Sequence, residues 1–332
     1  MSNSQTLDAV VAGLALVDLI GRPVRLDKLP KRGGLQLLDS ITLTTGGNVC
    51  NSAIDLRKLG FRVGAIARVG RDPLGEYIVS RLQAEGVETR GVLFDSTDQT
   101  SATFVSVGPD GERTFLHTRG CLKNFRARDV LKSLSMVKRS RIFAFGYYGL
   151  LQECEEEMGR LFRTIREKTD AKVLLDTGGN PGRNPRILRS FLRHLDYFIP
   201  SYDEAVAITG ARSPEGITKA LQNAGARGVL GVKLGSDGCY ILWNGSGRYI
   251  RPFRVQKVVD ATGAGDAFVA GFLAGTLRGK DPFAAAEIGN AVAASCITAV
   301  GASTAVRSLA SYRVKRRTGS VAKKGTPQKE QK

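Results

Sequence analysis

Asp266 lies in the string Val259-Asp260-Ala261-Thr262-Gly263-Ala264-Gly265-Asp266-Ala267-Phe268, in which an acid follows three small residues. The run Ala267 to Arg278 carries Phe268, Phe272 and Leu273 at helical spacing, so Gly263, Ala264 and Gly265 stand at a helix entrance. A helix N-terminus presents unpaired N–H groups and partial positive charge, and small residues let an anion approach that backbone. A phosphoryl group held there would leave Asp266 placed to take the proton of an attacking hydroxyl. The bare Gly-Ala-Gly-Asp reads more readily as an ordinary glycine-rich turn, with Asp266 complementing the helix dipole. The longer string decides between the two.

Two further stretches carry polar groups in positions suited to a ligand. The near-continuous apolar run 7–17 suits a central parallel strand covered on both faces, and Asp18 follows its end. Ligands of open α/β sheets bind at such strand ends. Asp18 is equally a hydroxyl acceptor or a turn residue on that argument. Gly46 and Gly47 open a helix-like stretch containing Asn51 and ending at Gly60, a plausible helix stop. By residue type alone, Gly46-Gly47 is a turn and Asn51 a first-turn polar residue.

Strand and helix patterns alternate from residue 141 onward, with Ile142–Phe145, Lys172–Asp176 and Tyr197–Ile199 as strands between helical runs. Such alternation predicts a doubly wound parallel sheet. Leu35, Leu37, Ile41 and Leu43 alternate, as do residues 103–107 and 113–117 around Pro109-Asp110-Gly111. These predict a small antiparallel sheet from about 20–45 and 91–120, apart from the main one. Arg113, His117 and Arg119 lie on this piece; each reads more readily as an exposed sheet residue, and their type hints at an anionic or acidic substrate. Residues 239–254 read as a hairpin returning to the Asp266 string.

The totals fit a cytoplasmic globular protein. The chain has 332 residues, a net charge of +18 and five widely spaced cysteines (50, 121, 154, 239, 296) without a Cys-x-x-Cys pair. With only two histidines, these do not form a zinc pattern and read as reduced thiols. Residues 313–332 hold eight Lys/Arg against one acid, with no apolar periodicity, and read as a disordered tail. The rest, 1–312, forms the folded unit. No membrane-length apolar run, P-loop string or dinucleotide fingerprint occurs.

The string 260–266 resembles the second signature of the ribokinase/PfkB carbohydrate kinase family, Asp-Thr-x-Gly-Ala-Gly-Asp, with Ala261 where the family often has Thr. Gly46-Gly47 followed by Asn51 and Ala53 resembles its first signature. Val69-Gly70 with Asp72 and Gly75 resembles a third family turn. The resemblance spans roughly residues 7–310. It implies a ribokinase-like α/β fold, a mostly parallel sheet flanked by helices with a small β lid over the sugar. It also implies ATP-dependent phosphorylation of a sugar hydroxyl with Mg²⁺ and, in some members, K⁺.

Carried over residue by residue, the resemblance makes Asp266 the base and Gly263, Ala264 and Gly265 the anion hole with it. Asp18, Gly46, Gly47 and Asn51 would hold the sugar. Lys233, Gly235 and Gly238, in a strand-turn like the family's K/T-x-G-x-x-G, would lie beside the nucleotide, and Asn290 near adenine. Glu204, in place for the family's Asn-x-x-Glu but with Ser201 for the Asn, would act on Mg²⁺ through water. As a plain residue, Glu204 is a capping-box partner of Ser201. Asp260 and Thr262 match a monovalent-cation site of some members. The longer spacing of Asp176, Asn180 and Arg183 assigns them no role.

Two alternatives stay open. A nucleoside kinase of the same family would line its pocket with lid aromatics, and Phe104 and Phe115 keep that reading in play. A non-catalytic, nucleic-acid-associated member would use the basic surface, a weak signal that the intact Gly-Ala-Gly-Asp opposes. A homodimer through the lid-sheet edge is expected from the unpaired strand it would expose.

Overall fold

The chain is described by a computed structural model covering residues 6–179, 181 and 185–312. Thirteen strands appear in order: β1 (Leu7–Ala12), β2 (Leu16–Arg22), β3 (Ser40–Gly46), β4 (Val63–Gly70), β5 (Glu88–Asp95), β6 (Ala102–Val107), β7 (Arg113–Thr118), β8 (Ser140–Tyr148), β9 (Lys172–Thr177), β10 (Tyr197–Phe198), β11 (Val229–Lys233), β12 (Cys239–Trp243) and β13 (Ser246–Ile250). The helices are α1 (Asn48–Lys58), α2 (Pro73–Ala84), α3 (Ala127–Lys132), α4 (Leu134–Lys138), α5 (Gln152–Glu155), α6 (Met158–Lys168), α7 (Pro185–Phe191), α8 (Tyr202–Thr209), α9 (Pro214–Asn223), α10 (Ala264–Leu277) and α11 (Pro282–Cys296).

Nine strands form one sheet in the order β13-β12-β11-β10-β9-β8-β1-β4-β5. All its pairings are parallel except β11–β12 and β12–β13. Its central strand shows why the sequence reads as apolar throughout. Ala9 and Val11 pack into the core under α1, α2, α10 and α11, while Val10 and Ala12 pack into the core on the side of α3 to α9. A strand buried on both faces has no polar face to alternate with. From β1 the chain runs outward to β4 and β5, then returns to β8 on the other side of β1. The carboxyl ends of β1 and β8 therefore flank the point where strand order reverses, where α/β sheets take ligands.

The four remaining strands form a separate sheet in the order β3-β2-β6-β7. It corrects three expectations. The apolar run 7–17 is two strands in two sheets, because the chain breaks at Gly13, whose φ of +137° puts any Cβ 2.6 Å from Asn48 Oδ1 and 2.7 Å from the Gly146 carbonyl. Asp18 therefore sits on lid strand β2, not at the end of a central strand. Residues 88–95, placed partly in the small sheet by sequence, pair with β4 at the edge of the large one. Leu35 and Leu37 belong to a loop and are over 80% exposed (83% and 84%); their alternation belongs to no strand. The basic stretch 313–332 lies outside the described residues.

Candidate active site

Register puts one face of the small sheet over the reversal point. Asp18 pairs with Thr44 and Thr103, Thr103 with His117, and Val105 with both Ile20 and Phe115. Side chains alternate across a strand, so these residues share a face with Arg113. They roof a cavity of about 590 Å³ whose floor is Gly46, Gly47, Asn51, Tyr147, Asp260, Thr262 and Gly263. Phe104 falls on the opposite face of the lid from Phe115. Of the two aromatics singled out by sequence, only Phe115 lines the cavity. A second concavity, at the amino ends of β9 to β11, is lined by Lys172, Asp196 and Arg227 and holds none of the motif residues.

Gly46 permits the roof and floor to meet. A Cβ there would stand 2.5 Å from Asp18 Oδ2 and 2.8 Å from Leu16 Cδ1. Gly47, with φ +85°, caps α1 and lets the helix start under the cavity. Asn51, in the first turn, is 5% exposed. Its Nδ2 donates to Asp266 Oδ2 at 2.8 Å. Burial raises the Asp18 carboxyl above its ordinary value, opposed by the Thr103 hydroxyl and Arg113.

Asp266 lies in the first turn of α10 and is 3% exposed. The helix starts at Gly263, which has left-handed φ of +76° and whose Cβ would meet Ala302 Cβ at 2.3 Å. Ala264 N–H turns back to the Ala261 carbonyl at 3.3 Å and Ala267 N–H opens the helical ladder on Gly263. Among the described residues no backbone acceptor takes the Gly265 and Asp266 N–H groups between them. Space is open beside Gly265, where a Cβ would find only Lys233 Nζ, at 3.6 Å. Backbone N–H groups, the helix dipole and an ammonium thus converge on one anion-sized opening.

The Tyr147 hydroxyl donates to Asp266 Oδ2 at 3.1 Å, while Asp266 Oδ1 is buried without a partner. Burial pushes the Asp266 carboxyl up to about 6, and the charge of Asp176 adds to this; Asn51, Lys233 and Tyr147 oppose it. An acid with one unpartnered buried oxygen and such basicity is suited to accept a proton near neutral pH. Lys233 ends β11 and places its ammonium 2.7 Å from Asp176 Oδ1, at the end of β9. Burial works against the Lys233 charge, but Asp176 outweighs it and raises the ammonium above its ordinary value.

The remaining predicted site residues have partners that the sequence left open. Glu204 Oε2 accepts from Ser201 N–H at 3.0 Å and from Thr177 Oγ1 at 2.6 Å, completing the capping box of α8. Asn290 Nδ2 donates to the carbonyls of Ile250 and Arg251, tying α11 to the end of β13. Gly235 and Gly238 frame the turn after Lys233, at φ +58° and +85°. Asp260 and Thr262, expected at a monovalent cation, both contact Arg113 of the lid. Arg119 pairs with Glu153, and His117 Nδ1 lies 3.1 Å from Thr103 Oγ1. The two lid arginines are thus neutralised by acids of the body, and their charge does not by itself select an anionic substrate. Among the described residues no cluster of three or more His, Cys, Asp or Glu could hold a metal, and no helix is long and apolar enough to cross a membrane.

The family model described as pfkB family carbohydrate kinase matches residues 6–309. The chain belongs to this family. It is a sugar kinase, a phosphotransferase, and has the ribokinase-like fold. It is 30% identical over 269 residues to the probable fructokinase-5 of Arabidopsis thaliana, covering 77% of this chain and 81% of that protein. It is 28% identical over 282 residues to the 2-dehydro-3-deoxygluconokinase of Bacillus subtilis, covering 81% and 85%. The structure of an Arabidopsis thaliana ribokinase complexed with ribose and ATP superposes with a TM-score of 0.80 at 24% identity, over 92% of this chain and 97% of that one.

Sequence reasoning missed two members of this kinase's site. Tyr147 reaches Asp266 from the end of β8 in a backbone conformation (φ 63°) that few side chains other than glycine's hydrogen adopt. Asp176 reads from the sequence as a strand-end acid, and its tie to Lys233 comes only from the fold. Tyr147 left one signal, a tyrosine between Gly146 and Gly149 at a strand end.

Proposed function

We propose that this kinase transfers the γ-phosphoryl group of ATP to a hydroxyl of a sugar or sugar derivative, with Asp266 as general base. The observation that carries the reading is Asp266 itself, buried and basic, with a free oxygen, at a helix N-terminus under the cavity. The hydroxyl would hydrogen-bond to Asp266 Oδ1, the atom that has no partner. Asp18 and Asn51 would orient the sugar, and Gly46 and Gly47 would let it approach the backbone. The Gly263, Ala264, Gly265 and Asp266 backbone and Lys233 would surround the moving phosphoryl charge, which is where such a site lowers the barrier.

Lys233, Gly235 and Gly238 would border the phosphates of the nucleotide, with Asn290 bracing the adenine side. Glu204 has its second carboxylate oxygen for a water of Mg²⁺, an ion that keeps much of its water shell. Mg²⁺ would add charge neutralisation between the phosphates. The lid would close over the sugar and exclude water, which limits ATP hydrolysis.

The apolar walls favour one second reading. Leu14, Leu16, Ile20, Val105, Phe115 and Leu122 all line the cavity, which suits an acceptor with an apolar or aromatic substituent, such as a nucleoside. One experiment addresses both: ATP consumption over sugars, sugar acids, phosphosugars and nucleosides, with Asp266→Asn in parallel. We expect turnover with one class and a loss of roughly 10²–10⁴ in kcat for the variant. Full activity in Asp266→Asn would remove Asp266 from the role of base.

A further inference from the structure

Several of the oxygens that a monovalent cation would collect beside Asp260 already accept from the protein's own donors. Arg113 Nη2 lies 2.8 Å from Asp260 Oδ1, and its Nη1 hydrogen-bonds to the Thr262 hydroxyl. Thr262 N–H also donates to Asp260 Oδ1, at 2.8 Å, and Gly301 N–H to Asp260 Oδ2, at 3.0 Å. The neighbouring carbonyls are used as well. The Lys58 ammonium donates to Ser303 O at 2.6 Å, and the Cys296 thiol to Ala302 O at 2.9 Å. An alkali cation is disfavoured beside fixed positive charge; this loop already holds a guanidinium and an ammonium, and each of these acceptors has at least one donor.

We infer that Arg113 takes the place of a monovalent cation, so that closing the lid, not binding K⁺, neutralises Asp260 and sets the loop leading to Gly263. Arg113 is on lid strand β7, whereas Asp260 and Thr262 belong to the body, four and two residues before the start of α10. The ion pair is one-quarter exposed on the arginine side and almost fully buried on the aspartate side. It ties the roof to the body across the cavity. Arg113 is thus a positioning residue: it acts on the anion opening through Asp260 and Thr262. A lysine at this position keeps the charge but loses the two-pronged contact.

The kinetic part of the test rests on the kinase reading; the melting part does not, so the two can fail separately. Melting temperature and kcat of the full chain are measured in KCl and in choline chloride at equal ionic strength, for wild type, Arg113→Met and Arg113→Lys. A cation that binds only the folded state raises its melting point. We expect wild type to melt alike in both salts and to change less than about twofold in kcat. Arg113→Met should lose more than about tenfold in kcat in choline chloride, and should become K⁺-responsive in both melting and rate. Arg113→Lys should stay indifferent to K⁺. Activation of wild type severalfold by KCl, or a K⁺-specific rise in its melting point, would overturn the inference. So would wild-type kcat for Arg113→Met in choline chloride.

Discussion

Asp266 owes its basicity to the same burial that works against its charge in the folded state. With the carboxyl at about 6, kcat/KM should fall about tenfold per unit below that pH, as the base becomes protonated. A pH–rate profile flat down to pH 5 would contradict the assignment. Stability moves the other way. The folded state raises this pKa, so the contribution to stability is complete below the ordinary carboxylate value near 3.8 and is lost as pH rises through about 6. Above that, the ionised acid costs on the order of 3 kcal/mol. Asp266→Asn should therefore resist urea better than wild type at pH 8, with the difference shrinking as the pH falls from 6 toward 4. Asp266 was legible because its string is contiguous. Tyr147 and Asp176 were not, because strand ends 119 and 90 positions away reach it only through a parallel sheet.

The start of α10 is the element on which the site turns, and a single glycine holds it. Gly263→Ala would force a Cβ into left-handed backbone, at a cost of about 1–2 kcal/mol, and against Ala302. The first turn must shift to relieve the contact, and the Gly265 and Asp266 amides shift with it. We expect a kcat lower by one to two orders of magnitude with a modest loss of thermal stability. An unchanged kcat would place the anion opening elsewhere. At this scale the sequence was readable wherever a face was buried. β8, β9 and β10 form where their apolar runs predict strands. It misled where a strand changed sheets without changing character. β1 and the start of β2 are both apolar, and only Gly13, Leu14 and Ala15 separate them. Leu35 and Leu37 kept a strand's alternation in a loop that no neighbouring strand pairs with.

The whole molecule is a body and a lid, and the lid has an uncovered side. On the face opposite Asp18, Ile41 and Leu116 are 66% and 67% exposed, with Leu43 beside Ile41 on β3. Exposed apolar groups on one sheet face are the mark of an interaction surface. We expect sedimentation equilibrium to give a dimer, and Ile41→Asp with Leu116→Asp to give a monomer. A wild-type monomer at micromolar concentration would reject the pairing. The α/β architecture was legible from the alternation of strands and helices, and the family from two short strings. The lid's two faces were not, since register is set by pairing and not by composition.

All five cysteines are buried and unpaired, and burial pushes the thiols of Cys50, Cys239 and Cys296 up to about 12. They are spread through the molecule: Cys50 on α1 beneath the cavity, Cys121 at the foot of the lid, Cys154 on α5, Cys239 on β12 and Cys296 at the end of α11. A thiol reagent meets none of them while the chain is folded. Each labelled sulfur therefore dates the opening of its own neighbourhood, and the protein carries, without any engineering, a set of clocks for its local unfolding.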